Sequence, residues 1–572
     1  MNIRRFSSNE ILWFSVAAIC VSVLLRWPIT SHEQGIDSFM IHSLVNSTIH
    51  DGSAAWLVSP LNFFGAYALS YPAGYPMILA EISQMTGFSV ESVILLGSFA
   101  CGALATITTF MLILEIRRNP FFAFLISVAY ATAPIFLTFT SWTATTRGIF
   151  VSLIPLTIWL LIKSERLRGI EMERGTRRKL LIFLMSDLVL MMALHRLAFM
   201  LAIFFFAYFI WRSIDSRWLK QIALRFGARK GRAIRTAIIG SFASILGGSV
   251  VYLSISSGAF NFGSFSEGIF QGDSNIIIIL NMISSIGVTI GYPLALAFPF
   301  ALLFILKDRK WDFPLLFLSI AFLLLLTFAG GRIYDRVIYP IILLPLIVIP
   351  IVGKGWPRSR RKYRKFIVIA VAITLPLNFI IVVEHYNKLS EKYVLDDGNS
   401  LSDESYSTGL FAQYYLNGEH FIGNNWIMSI RFQSVSGCFE LPVITSPSSE
   451  GTNLLISHSK TPTDLNYQIN SLWEIIRSQG IFFNTDYSDL EMQIDWARLF
   501  YSTPDLRSGD TLLKQYNVTF MLEDARIPGK ITGYGSAILY PIGAESSFMT
   551  SVHSSMYKIF DNGREYIWLI AT

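Results

Sequence analysis

Charge is what this sequence has least of. Asp, Glu, Lys and Arg make up 15% of its 572 residues against 53% hydrophobic, and the mean hydropathy is +0.50. That balance excludes an ordinary soluble chain. Cysteine is nearly missing too. Cys20 and Cys101 fall in apolar runs and Cys438 is alone in the C-terminal region, so no disulfide framework holds the protein together. Zinc-ligand spacing, a Walker loop and a GxGxxG turn are all lacking, which removes the usual signatures of structural zinc and of nucleotide binding. No internal repeat is evident, which argues against a transporter made of duplicated halves. Finally, no Lys or Arg stands between Arg26 and Arg117.

What is present is apolar length. Runs able to cross about 30 Å of hydrocarbon recur near 10–27, 92–115, 121–140, 148–163, 180–194, 197–211, 236–255, 284–306, 313–329, 338–353 and 366–384, about eleven in all. Arg4 and Arg5 precede the first run and no small-residue cleavage site follows it, so it reads as a retained anchor. Of the 34 Lys and Arg before residue 385, 29 lie in alternate connections, and the positive-inside rule assigns those to the cytoplasm. The remainder, Arg26, Arg147, Arg196, Arg332 and Arg336, stand at outer borders. We therefore expect a polytopic α-helical protein of the plasma membrane with a cytoplasmic N-terminus. Residues 1–384 would form the membrane module, including a first outer loop at 28–91.

Residues 385–572 reverse the charge balance, with 12 basic against 21 acidic side chains. The pI of 9.1 thus reports cytoplasmic loops, and no nucleic acid is needed to explain it. "LFAQYYL" and "LNYQINSLWEIIRSQ" predict helices, while "LPVIT", "IFFNT" and "VTFMLE" predict strands. "MYKIFDNGREYIWLI" places Asn-Gly between alternating apolar runs, a hairpin signal. The expectation is a mixed α/β extracytoplasmic domain.

The candidate chemistry clusters at the outer borders. "TSHEQGIDSFMIH" carries Glu33 and Asp37 with His32 and His42, just past the first apolar run and without a basic residue in its own loop. Spaced four apart, Glu33 and Asp37 would share a face of a helix, and Ile36, Met40, Ile41, Leu44 and Val45 give that helix an apolar side suited to lying flat on the interface. Two carboxylates alone make a poor divalent-cation site. "GGRIYDRVIYP" puts Arg332 and Arg336 four apart, on one face if the segment is helical, where they serve either as membrane-border anchors or as guanidinium forks for a lipid phosphate. "MALHRLAF" breaks an apolar run with His195 and Arg196, Asp187 lies deeper, and "SYPAGYP" reads as a turn closing the long loop. The second outer loop, "SWTATTRG", holds Arg147 and no carboxylate. Asn46 and Asn517 begin glycosylation sequons.

The motifs "EQGIDSF", "YPAGYP", the His-Arg pair and "GGRIYDRVIYP" together resemble the membrane glycosyltransferases of the GT-C superfamily. The segments "FIGNNWIMSIRFQSVSGCFELPVIT" and "LLKQYNVTFMLED" look like the outer domains of its archaeal members. That resemblance implies an inverting transfer of a sugar from a polyprenyl, often dolichyl, phosphate to a glycan, lipid-linked or protein acceptor. Asp37, with Glu33, would be catalytic. Arg332, Arg336, Arg196 and His195 would hold the donor phosphate, with Tyr334 and Arg147 as accessories. The chain departs from oligosaccharyltransferases in lacking a WWDYG-type motif and an acidic second outer loop, so a required divalent cation is unsupported. A flippase for lipid-linked saccharides and a polysaccharide polymerase or ligase are the alternatives.

Overall fold

The computed structural model describes residues 7–28, 30–51, 74–116, 118–167, 173–195, 198, 201, 373, 376, 380, 401–423, 426–441, 518–525 and 556–570. The N-terminal helices are α1 (Ser8–Leu24), α2 (Ile36–Asp51), α3 (Gly74–Thr86), α4 (Val90–Ile116), α5 (Pro120–Ala131), α6 (Pro134–Thr138), α7 (Thr146–Arg166) and α8 (Arg174–Leu194). Their starts follow local chemistry. Ser7 and Glu10 form a reciprocal capping box on α1, and Asn119 caps α5 ahead of Pro120. The expected span 121–140 is not one helix. Pro134 lacks an N–H to donate, so α5 stops at Ala131 and α6 restarts at the proline.

Among the described residues, α4 and α7 are long and apolar enough to cross a membrane, while α1 and α5 are apolar but shorter. On α1 and α8 large apolar side chains face outward, among them Leu12, Trp13, Phe183 and Val189. Such exposed apolar stripes suit contact with lipid. The expected spans beyond residue 201 lie outside the described residues, apart from three isolated helical positions.

The apolar face of α2 does not rest on an interface. Ile41 and Val45 join the main core with Tyr75 and Leu79 of α3, and Phe39 packs with Leu401 and Val435 from the C-terminal region. Protein covers the stripe that composition alone would leave for lipid.

The C-terminal part is mixed α/β, as its alternating patterns suggest. Helices α9 (Asp403–Tyr415) and α10 (Trp426–Ser436) accompany strands β1 (His420–Gly423), β2 (Phe439–Leu441), β3 (Val518–Asp524), β4 (Met556–Asp561) and β5 (Glu565–Ile570). The sheet order is β2-β1-β3-β5-β4. Strands β2, β1 and β3 run parallel, and α10 makes the crossover from β1 to β2. Strands β4 and β5 form the predicted hairpin. Asn562 closes its turn by accepting from the Arg564 and Glu565 amides, and its own amide donates into α9. The predicted "LNYQINSLWEIIRSQ" helix and "IFFNT" strand, and most of "LPVIT", lie outside the described residues.

One buried cation ties the helix ends together. Arg26 is fully buried, and its Nε donates to Thr140 Oγ1 at 3.0 Å. Nη1 donates to the Ser22 carbonyl and hydroxyl, both at 2.9 Å, and Nη2 to the Ala131 carbonyl at 2.7 Å. Ser22 and Ala131 lie in the last turns of α1 and α5, where carbonyls lack helical partners and a positive charge is favoured. A Cβ at Gly102 would sit 2.7 Å from Nη1, so only glycine lets α4 pass this side chain. Arg26→Ala should cost about 3 kcal/mol or more, since it strands several acceptors at once. A thermal-unfolding series in detergent checks this. Arg26→Lys should recover little of the loss, because one ammonium does not span the same acceptors.

Candidate functional site

The site is built where the segment before α2 is laced to the segment before α7. Gln34 N–H donates to the Trp142 carbonyl at 3.0 Å, and Ala144 N–H donates to Ser38 Oγ at 2.9 Å. Gly35 has φ +90, and its carbonyl accepts from the Ser38 and Phe39 amides to start α2. A side chain there would be strained and would press on Thr143 Cγ2 at 3.1 Å. Across the junction Trp142 takes φ 49, an uncommon conformation for a bulky residue, held by that carbonyl bond and by its indole N–H reaching the Glu91 carbonyl at 3.3 Å. Thr145 then caps α7 by accepting from Gly148 N–H.

This lacing brings together two residues from distant parts of the chain. Arg147 Nη1 lies 3.8 Å from Asp37 Oδ2, and each side chain is about one-third exposed, 33% and 36%. The guanidinium also lies over the Phe139 ring, 5.3 Å from its centroid. Asp37 therefore has a cationic neighbour, supplied by the second loop rather than its own. Both side chains remain partly exposed.

Glu33 is placed differently. It precedes α2 instead of lying on it, so it shares no helical face with Asp37. Its side chain is fully buried. Oε2 accepts from Ser38 Oγ at 2.7 Å, and Oε1 lies 2.5 Å from His42 Nδ1. A carboxylate withdrawn from water this far persists only with such partners. Glu33 thus holds Ser38, the residue next to Asp37, while Ser38 holds Ala144, three residues before Arg147.

The other expected residues spread out. His195 caps the end of α8 and stacks on Phe150, ring centroids 4.8 Å apart. Asp187 accepts from Thr157 Oγ1 at 2.7 Å, a bond between α8 and α7. Arg196, Arg332, Tyr334 and Arg336 lie outside the described residues, as do residues 70–73 of "SYPAGYP", whose remainder opens α3. Asn46 is buried and its amide donates to the Ser434 carbonyl at 2.7 Å, so that sequon is engaged in packing. Among the described residues no three His, Cys, Asp or Glu side chains gather as a metal-binding group. With Arg147 against Asp37 and both Glu33 oxygens engaged, the donors described around Asp37 do not fit a divalent cation.

Sequence reasoning named Glu33, Asp37, His42 and Arg147 but not Ser38, Trp142 or Glu91, whose roles depend on pairings across loops that no local pattern announces. Glu33→Ala and His42→Ala should each lower the unfolding temperature, and the double variant should lose little more than the worse single one. That non-additivity, read in a double-mutant cycle of thermal unfolding, marks one shared interaction.

No protein-family profile and no curated protein matches the sequence. Solved structures do. The oligosaccharyltransferase of Archaeoglobus fulgidus, in complex with Zn and sulfate, superimposes with a TM-score of 0.51 at 13% identity, covering 90% of this chain and 68% of that one. Its apo form gives 0.50 at 12% identity, covering 92% and 70%. ArnT from Cupriavidus metallidurans, bound to undecaprenyl phosphate, gives 0.44 at 11% identity over 99% of each chain, too low a score to establish a common fold. The chain therefore shares its fold with the archaeal oligosaccharyltransferase.

Proposed function

We propose that this chain is an inverting glycosyltransferase that moves a sugar from a polyprenyl (dolichyl) phosphate to a glycan, lipid-linked or protein acceptor at the outer membrane face. The observation that carries the reading is the half-open Asp37–Arg147 pair at the adjoining starts of α2 and α7. An acid beside a guanidinium is what this reaction asks for. Asp37 accepts the acceptor hydroxyl's proton as that oxygen bonds to the anomeric carbon. The bond from that carbon to the phosphate oxygen breaks, and its electron pair leaves with the lipid phosphate. The leaving group gains a negative charge as the bond breaks, so a cation beside it favours the transition state over the ground state. Arg147 supplies that cation, joined in this reading by Arg332, Arg336 and Arg196. A bound phosphate would also compete with Asp37 for Arg147 and free the carboxylate to take the proton.

In this reading Glu33 is a positioning residue rather than a second catalytic acid, because burial keeps it from substrate. His195 and Tyr334 serve the lipid head group. The two-part organisation follows, with a membrane module at 1–384 of about eleven helices and an extracytoplasmic domain at 385–572. Charge supports the orientation. The basic run of residues 163–179 spans the end of α7 and the start of α8, whereas Asp37 lies beside Arg147 at the opposite end of α7.

The test is transfer of label from polyprenyl-phosphate sugars by purified protein in liposomes. Asp37→Asn should reduce transfer by about 10²–10⁴-fold while leaving the unfolding temperature within a few degrees. Arg147→Ala should reduce kcat more than it raises the donor KM. Movement of labelled donor across sealed vesicles with no new glycosidic bond would replace this reading with transport.

A further inference from the structure

His32 joins three parts of the molecule that the proposed chemistry does not itself use. Its Nδ1 lies 3.0 Å from Glu91 Oε1 at the start of α4, and its Nε2 lies 3.2 Å from Asp403 Oδ1 at the start of α9. The ring stacks on Tyr406, centroids 4.0 Å apart and planes 25° from parallel. A carboxylate at each nitrogen needs a proton on each, so the geometry calls for an imidazolium. Glu91 Oε1 also accepts from the Glu33 amide at 3.1 Å, and the Glu33 carbonyl accepts from the Leu401 amide at 3.3 Å. The titratable groups facing His32 are therefore Glu91 from α4 and Asp403 and Tyr406 from α9. The neighbouring Glu33 turns its carboxylate away, to His42 and Ser38.

The same helices of the C-terminal domain hold α2 farther along. Asn46 is bonded to Ser434, Phe39 packs on Leu401 and Val435, and the Arg431 guanidinium lies over Phe39 at 5.8 Å. His32 is thus the ionic end of an otherwise packed seam, and it stands five residues before Asp37.

We infer that His32 is a positioning residue whose imidazolium, gripped by Glu91 and Asp403, fastens the C-terminal domain to the loop that presents Asp37 and so sets the rate of transfer. This rests on the transferase reading above. Burial alone would lower the affinity of the ring for its second proton, but the bonds and charges of Glu91 and Asp403 outweigh it, so the net pKa lies above the ordinary 6.5. The sign follows. A raised folded-state pKa makes the clamp fully effective below the unfolded value and weakens it as pH rises through the folded one.

Two readouts test this on the full-length protein, between about pH 6 and pH 8.5 where His titration falls. In labelled-donor assays the wild-type kcat should fall at the alkaline end while the donor KM holds. His32→Gln should be slower by roughly tenfold at low pH and should lack that alkaline limb. Asp403→Asn, which alters an exposed side chain, should move the limb to lower pH. Independently of transfer, the gap in unfolding temperature between wild type and His32→Gln should close as pH rises. Parallel pH profiles for wild type and His32→Gln, with a gap in unfolding temperature that does not change with pH, would overturn the inference. Absence of transfer by the wild type at every pH would instead sink the transferase reading, and the thermal arm would still decide whether the clamp exists.

Discussion

Asp37 and Arg147 are separated by more than a hundred residues, and their meeting depends on how two loops are bonded to one another. Two contacts do this, Gln34 N–H to the Trp142 carbonyl and Ala144 N–H to Ser38 Oγ, and the Trp142 indole adds a bond to the Glu91 carbonyl at the start of α4. Beneath them sits the buried Glu33 carboxylate, which orders Ser38 and His42. The pair at the surface is a weak, partly exposed ion pair that would contribute little to stability by itself. Its separation is instead set by the buried bonds below it. That division suits catalysis, since an acid and a cation that must exchange partners with substrate should not also be holding the fold.

Charge inside the protein is handled in the same way throughout. Arg26 is withdrawn from water but is distributed over helix-end carbonyls and two hydroxyls, so it joins α1, α5 and the segment after α6. Glu33 is matched to His42 and Ser38. In the C-terminal region Glu565 is fully buried and accepts from Ser405 Oγ, and burial raises its pKa against the bonds from Ser405 and Thr408. Arg26, Glu33 and Glu565 are thus each bonded within the described structure, as withdrawal of a charged group from water requires.

The helices were legible because apolar length and capping are local properties. Helices α1, α4 and α7 coincide with runs that could be read directly, whereas α8 starts at Arg174, ahead of its run at 180–194, and the Asn-Gly hairpin appears where its alternation indicated. Pro134 shows a limit of hydropathy, which does not register a break inside an apolar run. The face of α2 shows another. Its stripe of Ile36, Met40, Ile41, Leu44 and Val45 was visible, but whether lipid or protein covers that helix depends on α3 and on the distant α10. Glu33 and Asp37 looked equivalent as a spaced pair, yet Gly35 starts the helix between them and sends one carboxylate inward and the other out. Arg147 was conspicuous only as a sparse outer arginine. Its link to Asp37 is a tertiary fact, carried by a loop whose sequence, "SWTATTRG", announces neither the positive φ at Trp142 nor the Ala144 bond.

The central claim is that the Asp37 carboxylate and the Arg147 guanidinium flank the reacting centre of a lipid-linked sugar. An experimental structure with a non-hydrolysable polyprenyl-phosphate sugar tests it most directly. The account predicts the donor phosphate within hydrogen-bond reach of Arg147, with the open face of the anomeric carbon turned toward Asp37 across a gap sized for one acceptor oxygen, about 3–3.5 Å from the carbon it attacks. A donor head group bound elsewhere, with Asp37 and Arg147 still paired to each other and facing no sugar, would contradict it.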